Sequence, residues 1–598
     1  MNVSRISLLL ATTLAMAACG GDGSSGGAPD TPAADPLAAY KNQTVNWGGC
    51  SQYFSDASTP EAAAQLAKLG DRAQCADIKA PLDYQNPDGL QISLSMLRVR
   101  AAESPEKKPN LFFNPGGPGE DGQTSSLGYY TLLSSGNKDS TLGRKYQELS
   151  ASYNFVGFSP RGVGASTNII CAGNELIYQT DGTKWGENAP NIQKIADEAR
   201  YIASNCQKNP VSDYIHTDAT ARDMDLMRHL LGDEKLHYYG ISYGTWLGFW
   251  YAGLFPQRVG PMVLDSNMNF NKAIHDASIT FTEGEMHTFL NHVAPYAARH
   301  DDILGMGASA ESIVNDLKAI GHEVNQALLG LGSPFRAEPR KIPRYLSLVK
   351  AAIETQKLID QGQTLDQIEM ALTSGTHIAD ERLNTVFKET AGELIRAIRA
   401  QQNPIFYTSS RPFYLNNNDS VWNTVVCNDE PLLNKDQAFW VDTAFSQTRR
   451  LPIASARIAG QPCLYWNRKA KAVKPSVDSL KGAPLLMVQT EFDVPTPLSG
   501  AMETFEKLPA ASMVRVHGDG RHGVVVYQTE CVDLTVMDYL LGKTPQRRLT
   551  ECQGTPLPLD PQPPADDALK SSAQPAPNFE DPEMAERLIA SLRRASRP

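Results

Sequence analysis

Short apolar runs, divided from one another by glycine, proline and acidic residues, occupy the first half of the chain and return near its end. Leu90, Ile92, Leu94 and Met96 alternate with polar positions, the period-two pattern of a half-buried strand. Residues 111–113, 155–158, 236–239, 262–264, 485–488 and 513–516 are short apolar runs, most of them followed by glycine, proline or acidic loops, as strands are. Helical patterns fall between them. Met224, Met227, Leu230 and Leu231 share one face of such a helix, and Gly232 is placed to stop it. This alternation predicts an α/β fold built on a mostly parallel, doubly wound sheet.

From Met268 onward the texture changes to long helical patterns, such as Ile313, Leu317, Ile320, Val324 and Leu328. These predict a helical cap over residues 268–474, inserted between two halves of one core, 37–267 and 475–552. Residues 553–598 are Pro-rich and polar and are expected to be disordered, except for a short terminal helix over 583–594. With 598 residues, 41% of them hydrophobic, the chain has material for one large core and an inserted subdomain. Its net charge of -11, with no Lys/Arg run carrying interleaved aromatics, argues against a nucleic-acid partner.

Residues 1–18 hold Arg5 and then an apolar stretch too short to span a membrane, which suits an export signal. Met16-Ala17-Ala18-Cys19 resembles a bacterial lipobox, so Cys19 is the expected lipidation site and residues 19–36 a flexible tether to a membrane. Removing Cys19 from the nine cysteines leaves eight, an even number suited to an oxidising compartment. The economical pairings are Cys50 with Cys75, Cys171 with Cys206, Cys427 with Cys463 and Cys531 with Cys552, although spacing alone does not fix connectivity. No CxxC occurs and no histidines cluster with acids at metal spacing, so disulfides are expected rather than a metal site.

Gly240-Ile241-Ser242-Tyr243-Gly244 reads as strand, pinched turn and helix, a local order that lifts one serine hydroxyl out of the fold. Ser242 is the candidate nucleophile, and the Tyr243 N–H at the helix start is a candidate oxyanion donor. A serine needs a base that is itself oriented by a carboxylate. Asp493 follows the 485–488 strand, and His522 lies in a glycine-rich loop after the 513–516 strand, so the three occur in the order Ser, Asp, His. Glu491 and His517 are the rival acid and base. Asn114-Pro115-Gly116-Gly117-Pro118-Gly119, after the 111–113 strand, supplies Gly116 and Gly117 as further oxyanion donors.

NPGGPG, VGFSPRGVGAST, ARDMDLMRHLLG, YYGISYGTWLGFWYAGLFPQRV, and TEFDVPTP followed by GRHG together resemble the secreted tripeptidyl-aminopeptidase-like α/β-hydrolases, relatives of the proline iminopeptidases. The resemblance runs from Trp47 and Pro81-Leu82-Asp83-Tyr84 to Leu541-Gly542, and is weak between Met268 and Asn416. It implies a Ser242–Asp493–His522 triad without a cofactor, and exopeptidase chemistry on peptide substrates, releasing tripeptides or other short N-terminal units. The same fold and triad also serve carboxylesterases and lipases, and a non-catalytic surface-binding lipoprotein is a third possibility. Departures from the family pattern are GPGEDG for GPGxSG, GFSPRG for GFDPRG, LDSN for LDG, and Arg521 where glycine usually precedes the histidine. An aminopeptidase must hold a free ammonium group, and Asp429, Glu430 and Glu120 are the candidate carboxylates. The oligomeric state is not legible in the sequence.

Overall fold

The computed structural model describes residues 35–54, 60–178, 189–331, 338–402, 410–430, 435–450, 460–467, 471–524, 526–561 and 577–595. The expected export signal, Cys19 and most of the expected tether lie outside the described residues. Eleven strands are present among those described: β1 (Ala73–Pro81), β2 (Gln91–Val99), β3 (Asn110–Asn114), β4 (Asn154–Ser159), β5 (Ala172–Tyr178), β6 (Leu236–Ile241), β7 (Val259–Asp265), β8 (Ser410–Tyr414), β9 (Leu485–Thr490), β10 (Ser512–His517) and β11 (Leu549–Gln553). Nine form one sheet in the order β1-β2-β4-β3-β6-β7-β9-β10-β11, and β5 pairs with β8 in a separate two-stranded ribbon. Within the nine-stranded sheet, pairing is antiparallel only where β2 meets β1 and β4, and parallel from β4 to β11; β5 and β8 are also antiparallel. The architecture is thus the mostly parallel α/β-hydrolase sheet.

Strand side chains alternate between two cores. Phe112, Val156 and Phe158 face the layer that holds the helix Tyr243–Leu254, whereas Leu111, Phe113 and Phe155 face the layer that holds the helix Gly122–Ser134. A parallel sheet needs both faces covered, and this period-two division provides two apolar faces. It also sends the C-terminal ends of β3, β6, β7, β9 and β10 to one edge, where loops gather functional side chains.

Helices from Ala277–Thr288 to Glu381–Gln402 form a body with its own core of Phe289, Leu317, Leu328, Leu348 and Leu394. The predicted insert differs from this body at its far end. Val421, Val425 and Cys427 on the helix Asn417–Asp429 join the core beside the elbow helix, and the Cys427–Cys463 bond fastens that segment there. Cys50–Cys75, Cys171–Cys206 and Cys531–Cys552 are the other three disulfides.

The expectation of disorder over residues 553–598 requires correction where the chain is described. Leu557 is buried in the helical body, and Asp560 pairs with Arg299 and His300. The helix Pro582–Ala595 sets Leu588 and Leu592 against Gly128, while Phe579 stacks on Tyr146 with ring centroids 5.4 Å apart. Ala585, Ile589 and Leu592 make an apolar helix stripe, so burial outweighs the cost of ordering this end. Residues 562–576, in the most Pro-rich part, lie outside the described residues.

Candidate active site

Ser242 stands between the end of β6 and the start of the elbow helix with φ 58° and ψ -122°, outside the ordinary regions for a residue with a side chain. Holding it there costs about 1–3 kcal/mol, which the close packing of the turn must offset. Both flanking glycines are steric requirements. A Cβ on Gly240 would lie 2.4 Å from the Gly244 carbonyl oxygen, and one on Gly244 would lie 2.7 Å from that of Asn114.

The loop after β3 closes over this turn. Gly116, at φ 109°, comes so close that a Cβ there would lie 3.0 Å from Ser242 Cβ and 3.2 Å from the Tyr243 nitrogen. Its own N–H donates to Asn114 Oδ1 at 3.1 Å. Gly116 is therefore the close-approach residue rather than a free donor. The N–H groups of Gly117 and Tyr243 have no partner among the described residues.

Asp493, in the loop after β9, and His522, in the loop after β10, are both buried and meet directly. His522 Nδ1 donates to Asp493 Oδ1 at 2.9 Å and faces Oδ2 at 3.1 Å. With Nδ1 bonded to a carboxylate, the neutral ring presents Nε2 as its acceptor. Nε2 is buried and has no hydrogen-bond partner among the described residues. Thr496 was not singled out from sequence. Its N–H donates to Asp493 Oδ1 at 3.1 Å and its hydroxyl to Oδ2 at 3.0 Å, which fixes the carboxylate plane. The D-x-x-T spacing was the available signal, a side chain capping its own turn.

The rivals lie elsewhere. His517 closes β10 on the surface and pairs with Glu551 at 2.7 Å, while Glu491 accepts the Gly518 N–H. Arg521, adjacent to His522, stacks over the Tyr527 ring at 4.4 Å and lies 3.5 Å from Asp519, so its charge is held within the loop.

The three candidate amine carboxylates have different surroundings. Asp429 is buried beneath the elbow helix, accepting from the Thr217 N–H and hydroxyl and from Trp246 Nε1, and burial pushes its carboxyl up to about 7. Glu430 pairs with Lys474 at 3.2 Å and accepts the Ile274 N–H at 2.9 Å. Glu120 follows the oxyanion glycines, its Cγ 3.4 Å from where a Gly117 Cβ would stand. Asn418 donates to Glu120 Oε1 at 3.0 Å, and no cation pairs with Glu120 among the described residues. Burial pushes the Glu120 carboxyl up to about 7, and the charges of Asp121 and Asp419 add to the rise.

The helical body is seated on these loops. A Cβ on Gly284 would lie 2.3 Å from the Val494 carbonyl oxygen, and Thr288 donates to the Phe492 carbonyl at 3.2 Å. His292 stacks on Phe492 with centroids 4.2 Å apart, one residue from Asp493. Asn267, Met268, Lys272, Thr496 and Pro497 line a small cleft beside the loop carrying Asp493.

Comparison with known proteins bears on the fold and the family. Residues 109–283 match the family described as alpha/beta hydrolase fold, and residues 451–573 the family described as TAP-like protein. Tripeptidyl aminopeptidase of Streptomyces lividans is 29% identical over 497 residues, spanning 80% of this chain and 83% of that protein. Serine protease Hip1 of Mycobacterium tuberculosis is 26% identical over 520 residues, spanning 84% and 89%. Carboxylesterase B of the same species is 26% identical over 532 residues, spanning 87% and 91%.

Proposed function

This chain belongs with the tripeptidyl-aminopeptidase-like α/β-hydrolases, and on that premise we propose that it is a serine exopeptidase releasing tripeptides or other short units from peptide N-termini. The observation that carries the proposal is the buried His522–Asp493 pair, whose ring leaves Nε2 unpartnered at the same sheet edge as the strained Ser242. His522 Nε2 takes the Ser242 proton as Oγ bonds to the scissile carbonyl carbon. The oxyanion faces the Gly117 and Tyr243 N–H groups. The proton then passes to the leaving nitrogen as the C–N bond breaks, and water, deprotonated by the same imidazole, hydrolyses the acyl-enzyme.

Glu120 meets the substrate ammonium. Asp429 is enclosed by Thr217 and Trp246, and Glu430 already has Lys474. Glu120 accepts only from the Asn418 amide, at one oxygen, and has no cation among the described residues; it adjoins the 114–119 loop where the helix Asn417–Asp429 begins. The helical body serves as a cap that limits the pocket to chain ends. Export by the N-terminal signal, with Cys19 lipidated, places the enzyme outside the cytoplasm, and the four disulfides fit that compartment.

An esterase is the second reading, because Carboxylesterase B is among the relatives. Digestion of a peptide library with free and N-acetylated termini, read by mass spectrometry, separates the two. Short products from free termini alone support the exopeptidase; indifference to acetylation, or turnover of simple esters only, supports the esterase.

A further inference from the structure

Three side chains on three separate loops must be held in register, and one two-residue corner touches all three segments. Asp265 closes β7, and Ser266 follows it at φ 61°; both are fully buried. The Ser242 N–H donates to the Asp265 carbonyl at 3.0 Å, and the Ser266 N–H donates to the carbonyl of Val488 in β9 at 2.9 Å. The side chains reach the third segment. The Gly523 N–H donates to Ser266 Oγ at 2.8 Å, and the Val524 N–H donates to Asp265 Oδ2 at 2.7 Å. These are the two amides that immediately follow His522. Tyr239, from β6, donates to the same carboxylate at 3.0 Å, and the Ser266 hydroxyl donates to its Oδ1 at 3.3 Å.

Glycine would adopt the backbone of residue 266 without strain, and a Gly-containing LDG is the pattern from which this chain departs. The strain accompanies a hydroxyl that accepts a backbone N–H inside the histidine loop. A serine so placed has work for its side chain.

We propose that Asp265 and Ser266 are positioning residues for the reaction, a corner that fixes the backbone of Ser242 with one hand and the loop carrying His522 with the other. This rests on the Ser242–Asp493–His522 assignment. Gly523 and Val524 cannot shift without breaking side-chain bonds to the corner that also holds the nucleophile, so His522 Nε2 and Ser242 Oγ move as one body. The Asp265 carboxylate also adds a second negative charge near His522 beside Asp493. The groups facing it are Tyr239 from β6, Ser266 from its own turn, Asp493 from the acid loop, and His522 with the Val524 N–H from the histidine loop. Burial pushes Asp265 up to about 6 against the bonds from Val524 and Tyr239.

The test uses the full chain, a fluorophosphonate probe and a free-amine tripeptide anilide. Ser266→Gly keeps or raises Tm, because glycine relieves the left-handed backbone, yet it slows labelling about tenfold and lowers kcat with KM unchanged. Asp265→Asn keeps an oxygen acceptor for the Val524 N–H but loses the charge, and it displaces the pH profile of labelling, which Ser266→Gly lowers without displacing. The proposal is overturned if Ser266→Gly labels and turns over at the wild-type rate, or if the Asp265→Asn profile keeps its wild-type position. It is also overturned if a lower saturating fraction is the only change, since that reports lost folding. Labelling that persists in Ser242→Ala defeats the triad assignment itself and is read separately from both variants.

Discussion

Gly116 approaches Ser242 so closely that a single added carbon on the glycine would stand 3.0 Å from the serine Cβ. The 114–119 loop and the turn carrying Ser242 are therefore one packed unit. Gly116→Ala would also force a residue with a side chain into φ 109° and bring its Cβ within 2.5 Å of the Ile241 carbonyl oxygen. We expect a loss of at least about 2 kcal/mol in stability together with a fall in kcat, checked by thermal melts and turnover.

Ser242→Ala abolishes fluorophosphonate labelling with the fold intact. Ser242→Gly does the same but gains about 1 kcal/mol of stability, because glycine tolerates φ 58°. Chemical denaturation of the two variants side by side measures the strain stored at the elbow; equal stability would place the cost of the turn elsewhere.

Asp493→Asn lowers kcat by about 10³–10⁴-fold with little change in KM, the size expected when a carboxylate that sets the histidine tautomer is neutralised. Thr496→Val, which removes the hydroxyl bonded to Asp493 Oδ2, lowers kcat by about tenfold. A Thr496→Val enzyme with wild-type kcat would show that the carboxylate keeps its plane without that bond.

Glu120→Gln raises KM for free-amine peptides by about 10–100-fold and leaves N-acetylated peptides unaffected. In the free enzyme the carboxyl is pushed up to about 7, so it is charged only above that pH. The substrate α-amino group is cationic below about 8. The preference for a free terminus is accordingly strongest between about pH 7 and 8, and is lost as the pH falls through 7. Ratios of kcat/KM for the paired substrates from pH 5.5 to 9 check this, and a ratio independent of pH would remove Glu120 from amine binding.

Much of the site is visible in the linear chain because it consists of strand-following loops with unusual composition. Six strands announce themselves as apolar runs and β2 as a polar–apolar alternation, and Ser242, Asp493 and His522 each follow one of the runs. β1, β5, β8 and β11 do not stand out. LTECQ in β11, for example, borders solvent and carries little apolar signal. The cross-chain bonds were equally hidden. Gly116 spends its N–H on Asn114, and Ser266 serves a loop 257 residues away, a pairing that only the sheet order brings about. The terminal helix was legible as a short segment. Its docking was not, because the receiving surface is Gly128, whose significance is the absence of a side chain.

For the buried carboxyls, acidity is stabilising. Burial raises Asp265 and Asp533 to about 6 and Asp429 to about 7, above the unfolded aspartate value of about 4. Between those limits the folded state binds more protons than the unfolded chain, so stability is lost as pH rises through the window and is regained as pH falls towards 4. Exposed Asp35 and Asp478 shift downward and act in the opposite sense, but only below about pH 4. Tm is expected to rise as the pH falls from 8 to about 6.5, measured by calorimetry at constant ionic strength; below that, burial keeps His216 neutral down to about 3 and His237 and His275 down to about 4, and their opposite contribution offsets that of the carboxyls.

The described end of the chain ties distant parts of the molecule together. Ser140 donates to Asn578 across 438 residues, and Leu557 completes the core of the helical body. These contacts cannot form until the residues late in the chain have been made, so the helical body is not finished before Leu557 nor the sheet's outer layer before Asn578. A chain cut before Leu557 would lose both sets of contacts and leave two unsealed cores.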